Sequence, residues 1–194
     1  VRYGKYVLLL LAVILALVSY SRPAFEAARS DQALKASIAR QPVLVTTAGQ
    51  GTEGLIVASM FYRLDLSYSY LFQATPEDLA GENSLVLVLG ASPAGMQDIS
   101  TSPGEEERRV LRLAKEAVSQ HIPVIIVHLG GTDRRGGLND RLIRELVPLA
   151  SYVLVAGDGN YDGLFSRLTA AKHIPLTEVA DFDALEAPLN FAFH

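Results

Sequence analysis

Four short stretches of this sequence combine glycine with polar or charged residues at spacings that carry chemistry in other proteins. The first, Gly49-Gln50-Gly51-Thr52-Glu53-Gly54, satisfies G-x-G-x-x-G, in which glycines let backbone approach a pyrophosphate at a helix N-terminus. That fingerprint also needs an acidic side chain about twenty residues on. Phe72 and Gln73 stand there instead. The stretch therefore reads as a tight turn whose free amides can hold an anion, with Thr47, Gly49, Gln50 and Gly51 as candidate contacts. The second, Gly90-Ala91-Ser92-Pro93-Ala94, approaches the nucleophile elbow G-x-S-x-G, and Asp158 or Asp162 followed by His173 supplies the order Ser, Asp, His. The elbow's oxyanion hole uses the amide after the serine, and Pro93 has none. His173 has a simpler reading, because Lys172-His173-Ile174-Pro175 echoes Gln120-His121-Ile122-Pro123 and both histidines stand where a helix gives way to a strand.

The third stretch, His128 to Gly137, holds Gly130, Gly131 and the paired Arg134 and Arg135. It lacks the Lys-Ser/Thr of a P-loop, so nucleoside triphosphate binding has no support. Two guanidinium forks on a glycine-rich loop suit a carboxylate or phosphate; the competing reading pairs them with Asp133 or Asp140. His128, at the tip of an aliphatic run, is the best catalytic candidate, as acid or base, with a satisfied structural histidine as the alternative. The fourth stretch, Asp158-Gly159-Asn160-Tyr161-Asp162-Gly163, opens like a calcium loop, with Asp158, Asn160 and Asp162 as ligands. Its twelfth position is Thr169 rather than glutamate, so no metal site is expected and Asp162 reads as a helix N-cap.

The elements between these stretches alternate in hydrophobic period. Pro42–Thr46, Ser84–Leu89, Pro123–Val127 and Ser151–Val155 are short β-rich runs, the last three continuously aliphatic as in strands covered on both faces. Ser67–Gln73 alternates tyrosine and phenylalanine with serine, the pattern of an edge strand. Leu55–Leu64 is an apolar helix. Ser102-Pro103-Gly104-Glu105 is a capping box before a stripe of Val110, Leu113, Ala114, Ala117 and Val118, and Thr75-Pro76-Glu77-Asp78 caps a shorter turn. Leu138, Leu142, Ile143, Leu146 and Val147 repeat the helical spacing, and a short strand near Leu176–Val179 and a helix from about Phe182 close the chain. This predicts an α/β fold, a three-layer doubly wound sandwich with a mainly parallel five- or six-stranded sheet in the flavodoxin-like order 2-1-3-4-5. In such a fold the four glycine-rich stretches meet beyond the carboxyl ends of the strands.

The N-terminus reads differently. Arg2 and Lys5 precede an unbroken apolar run from Val7 to Val18, with Ser19-Tyr20-Ser21 after it. That is the plan of a secretory signal, or of an uncleaved anchor if tyrosines at both ends mark a membrane span. Residues 1–21 are expected to be this signal or anchor, 22–40 a stalk, and 41–194 a single extracytoplasmic domain, outside the cytoplasmic membrane or secreted. Without residues 1–21 the chain keeps 15 basic and 21 acidic residues, a net charge of −6, which argues against nucleic acid held on a basic face. There is no cysteine, which removes disulfides and thiolate chemistry. A mean hydropathy of +0.24 supports a real core.

Several segments also carry a resemblance: Gln41 to Gln50, Ala74 to Leu79, Val127 to Gly131 with Arg134-Arg135-Gly136, and Gly159 to Phe165. In that order they resemble a bacterial family of uncharacterised exported proteins, a domain of unknown function, over about Gln41 to Leu189. The resemblance implies an export signal or anchor and a small α/β domain, and no activity, cofactor or catalytic residue.

The expected function is noncatalytic binding of a small anionic ligand, without cofactor, at Thr47, Gly49, Gln50, Gly51, Ser92, His128, Gly130, Gly131, Arg134, Arg135 and Asn160. The alternatives are a hydrolase- or transferase-type enzyme using His128 with Asp158 or Asp162, and a structural partner in a membrane complex.

Overall fold

A computed structural model describes residues 34–194; the expected signal or anchor and most of the stalk lie outside the described residues. Six parallel strands form one sheet in the order β2-β1-β3-β4-β5-β6: β1 Val43–Ala48, β2 Tyr68–Tyr70, β3 Ser84–Leu89, β4 Val124–His128, β5 Tyr152–Ala156 and β6 Leu176–Val179. Helices α1 Glu53–Arg63, α2 Pro93–Asp98, α3 Pro103–Ser119, α4 Gly137–Leu146, α5 Leu164–Ala170 and α6 Glu186–Phe193 connect and cover it. The doubly wound reading holds, with the sixth strand added beyond β5.

Side-chain alternation divides the core. In β3, Leu85, Leu87 and Leu89 face the layer with Val110, Leu113 and Ala117 of α3, while Val86 and Val88 face Val57, Met60 and Phe61 of α1. Both faces are covered, so the aliphatic runs need no polar side. The polar strand β2 is an edge: its Ser69 is exposed, and Tyr68 and Tyr70 half-cover the α1 layer. The capping boxes at Ser102 and Thr75 form as their spacing predicts. One expectation fails in α3, where Val118 is 45% exposed; the buried stripe ends at Ala117 as the helix leaves the sheet.

The two His-Ile-Pro segments close helices α3 and α5. His121 and His173 take left-handed φ values of 58° and 54°, and the next residue's amide reaches back to Ala117 O and Thr169 O respectively. This is the Schellman closure, with histidine in the position glycine usually fills.

Candidate functional site

Because every strand runs the same way, the loops after β1, β3, β4 and β5 emerge at one edge of the sheet. They touch. Ser92 N donates to Gly49 O at 2.7 Å, Gln50 and Ala91 form an isolated bridge, and Arg134 Nε meets Glu53 Oε1 at 2.5 Å. Across the other side, Thr132 N donates to Asp158 Oδ1 at 3.0 Å and Arg135 Nη1 to Gly159 O at 2.5 Å.

The glycines of the first two loops serve this closeness. Gly49 has φ 113°, and a Cβ there would lie 2.6 Å from Ala91 Cα. A Cβ on Gly90 would fall 2.5 Å from the Glu53 carboxylate. The crevice between β1 and β3, where this topology reverses, is thus filled by backbone and by the chain's own acid. Two of the amides expected to receive an anion, those of Gly49 and Gln50, are taken as well. Glu106, only 1% exposed, accepts from Gly49 N at 2.8 Å and from Gln50 Nε2 at 3.0 Å, while Arg109 grips it from Nε and Nη2 and donates to Thr47 O and Ala74 O. Gln50 also donates to Phe72 O, and its own amide is held by Thr47 Oγ1. Glu106 sits within the capped first turns of α3, a position that reads as solvent-facing helix, so sequence reasoning missed it.

The paired arginines part company. Arg135, its side chain 2% exposed, binds Asp140 Oδ1 at 2.8 Å and both oxygens of Asp162 at 3.0 Å, and lies over Tyr161 and Phe165. Burial alone would lower its pKa, but the hydrogen bonds to Asp162 and Asp140 outweigh it and hold the group above the ordinary arginine value. The bond from Arg135 in turn holds Asp162 below the usual carboxylate range. With both Asp162 oxygens on a guanidinium, the calcium reading loses its central ligand, and Asp162 Oδ1 also accepts from Leu164 N. Asn160 Oδ1 accepts from Phe165 N and Ser166 N, so it too caps α5. Arg134 differs: its side chain is 35% exposed, its Nη1 is a weak 3.4 Å from Ala91 O, and it packs over Gly130, where a Cβ would strike it.

His128 is fully buried at the end of β4 beneath Gly159, whose Cβ would sit 2.5 Å from the ring. Its Nε2 is 3.4 Å from Gly131 O, and its Nδ1 has no partner among the described residues. Burial pushes its pKa down to about 4, so the ring is neutral near pH 7. Ser92 N-caps α2 through Gly95 N, and His173 lies before β6, at the other edge of the sheet. The Ser, Asp, His order is not an assembled triad.

Beside the loops lies a cavity of about 620 Å³ between α2 and the starts of α3 and α4. Pro93, Met96 and Leu138 give it apolar walls; Gln97, Ser100, Thr101 and Asn139 supply polar groups. Asn139 Oδ1 accepts from Ala91 N at 2.7 Å, which ties this wall to the loop that Arg134 touches. The sequence reading missed α2, although Ser92-Pro93 is an N-cap with proline at the first helical position.

Residues 40–193 match a family described as "Domain of unknown function (DUF6305)". The chain belongs to that family. The expected span, Gln41 to Leu189, falls inside the match. No curated protein matches. Among solved structures, the esterase AlinE4, described as an SGNH-hydrolase family esterase, and a point mutant of it are similar at 10% identity, with TM-scores of 0.32 and 0.31. Each comparison covers 73% of this chain and 76% of the other. At those TM-scores the likeness carries no activity over to the DUF6305 domain.

Proposed function

We propose that this domain is a noncatalytic binding module, held outside the cytoplasmic membrane or secreted, that takes a small ligand with an apolar body and an acidic group. The observation that carries the reading is the 620 Å³ cavity at the carboxyl edge of the sheet, with apolar walls and a few polar groups. Its size falls in the usual range for small-molecule sites, about 300–1,000 Å³. Arg134 supplies the charge. It does not line the cavity but reaches the wall residue Ala91 through Nη1, 3.4 Å from Ala91 O, and of the two paired arginines it alone keeps substantial exposure. Its guanidinium has donors beyond the Glu53 contact, so an acid can add to it without stripping Glu53 of its partner. Gly49, Gln50 and Arg135 already hold carboxylates of the chain itself, and none of the eleven expected contacts lines the cavity; Ser92 and Arg134 come nearest, Ser92 between its wall residues Ala91 and Pro93 and Arg134 through Ala91 O. Catalysis through His128 has no route, because the ring is fully buried beneath Gly159.

The test is thermal unfolding in the presence of short- and medium-chain carboxylic acids and their matching alcohols. Acids should stabilise the wild-type domain saturably and more than the alcohols. Arg134→Gln should remove the acids' advantage, about 1.5–3 kcal/mol for a charge-assisted hydrogen bond, and Met96→Trp should abolish stabilisation by both. Equal stabilisation of wild type and Met96→Trp would overturn the proposal.

A further inference from the structure

The helices on the two faces of the sheet present different surfaces. On one side α3 turns Glu105, Arg108, Arg112 and Lys115 to solvent, an ordinary charged face. On the other, α1 exposes Leu55, Ile56, Ser59 and Tyr62, and α6 exposes Ala187 and Phe191. Tyr62 is 78% exposed, Leu55 57% and Phe191 45%. The two helices lie side by side, since Phe61 and Phe193 meet edge-on with ring centroids 5.5 Å apart and Arg63 pairs with Glu186. That pair neutralises itself, so the exposed side chains of α1 and α6 add no net charge in a chain of net charge −4, and the exposed acids Asp65 and Asp183 stand only at the margins. Single exposed apolar residues are common; several on two adjacent helices mark a contact surface.

The course of the chain indicates what covers it. Leu34 and Ile38 pack against this same layer, and Ile38 N and Ala39 N both donate to Ala192 O of α6, at 3.0 and 2.9 Å. The polypeptide thus enters the domain along α6. Leu34 stands sixteen positions after Val18, the end of the apolar run. Sixteen residues span at most about 55 Å, more than the ~40 Å diameter of a domain this size, so this length keeps the domain within reach of the bilayer while joining it on the α1–α6 layer. An anionic bilayer repels most of an acidic domain, but least a face whose one ion pair is neutral overall and which carries Leu, Ile, Tyr and Phe, side chains that partition to the headgroup boundary.

We propose that the α1–α6 face rests on the lipid bilayer, with Leu55, Ile56, Tyr62 and Phe191 reaching the headgroup boundary. This rests on reading Val7–Val18 as a membrane segment and is independent of the ligand cavity.

The chain has no native cysteine, which makes the test clean. Tyr62→Cys, Phe191→Cys and, as control, Lys115→Cys are each labelled with an environment-sensitive fluorophore. The full chain is reconstituted into phosphatidylcholine–phosphatidylglycerol vesicles at less than one protein per vesicle. Labels at 62 and 191 should shift to the blue and be quenched by a bilayer-embedded quencher, while the label at 115 stays aqueous. Three results overturn the proposal: labels at 62 and 191 that behave like the one at 115, a shift that appears only as protein density rises (a second copy covers the face), or a chain that does not float with the vesicles.

Discussion

Replacing Glu106 with alanine should be among the costliest single changes in the domain. Its carboxylate, 1% exposed, accepts from Gly49 N, Gln50 Nε2, and Arg109 Nε and Nη2 at 2.7–3.0 Å. Glu106→Ala strands the buried amide of Gly49, leaves the Gln50 carboxamide with Phe72 O alone as acceptor, and leaves Arg109, 12% exposed, with only the carbonyls of Thr47 and Ala74. Breaking a buried, hydrogen-bonded charge pair from one side costs about 3–5 kcal/mol. At a urea dependence of roughly 2 kcal/mol/M, the unfolding midpoint should fall by about 2 M. Amide exchange should report where the loss acts, with Gly49 and Gln50 exchanging faster at the native baseline while β4 and β5 stay protected. A double-mutant cycle with Arg109→Met sharpens the test, because the double variant should lose less than the two single losses added together. A loss under ~1 kcal/mol for Glu106→Ala, or strict additivity in the cycle, would refute the claim that this pair holds the first loop closed.

Other expectations follow from single contacts. Gly49→Ala places a methyl 2.6 Å from Ala91 Cα at φ 113°, and should cost at least ~2 kcal/mol in the same urea experiment. Arg135→Ala should cost about 1.5–3 kcal/mol, because Asp140 and Asp162 lose their shared cation but stay accessible to water, and should accelerate proteolysis within residues 129–163. Burial holds His128 down to about 4 in the folded domain, whereas the unfolded chain binds that proton below about 6.5. Its contribution is therefore fully present above pH 6.5 and is lost as the pH falls toward 4, about 3 kcal/mol across that window. In His128→Gln, unfolding free energies measured between pH 7 and pH 4 should show a correspondingly smaller drop. His121→Gly and His173→Gly should each raise stability by about 0.5–1 kcal/mol, since glycine takes the left-handed Schellman position at less steric cost.

The fold was legible because its determinants are local. Aliphatic runs such as Ser84–Leu89 have no helical stripe, the tyrosine–serine alternation of β2 suits only an edge, and capping boxes at Thr75 and Ser102 rest on residues three apart. The convergence of four loops followed from parallel topology. What lay hidden was partnership at long range. Glu106 stands 57 residues from Gly49, and Arg135 stands 27 from Asp162, so no window of sequence shows that one neutralises the other. Glycine patterns that could cradle a ligand look the same when they admit another loop's backbone. Gly49 and Gly90 do the second. The cavity was missed for a related reason: its walls come from the ends of three helices, and α2 is too short to show a period.

A ligand bound at the proposed site enters beside Met96 and Leu138 at the carboxyl edge of the sheet. Titrating the isotope-labelled domain with octanoate, observed through its backbone amides, tests this most directly. The amides of Ala91, Gln97, Ser100 and Leu138 should shift together and saturably while those of Asn83, His121 and Ser151 at the opposite edge hold still. Shifts confined to the opposite edge, or no saturable shift near Met96 at any soluble concentration of the acid, would contradict it.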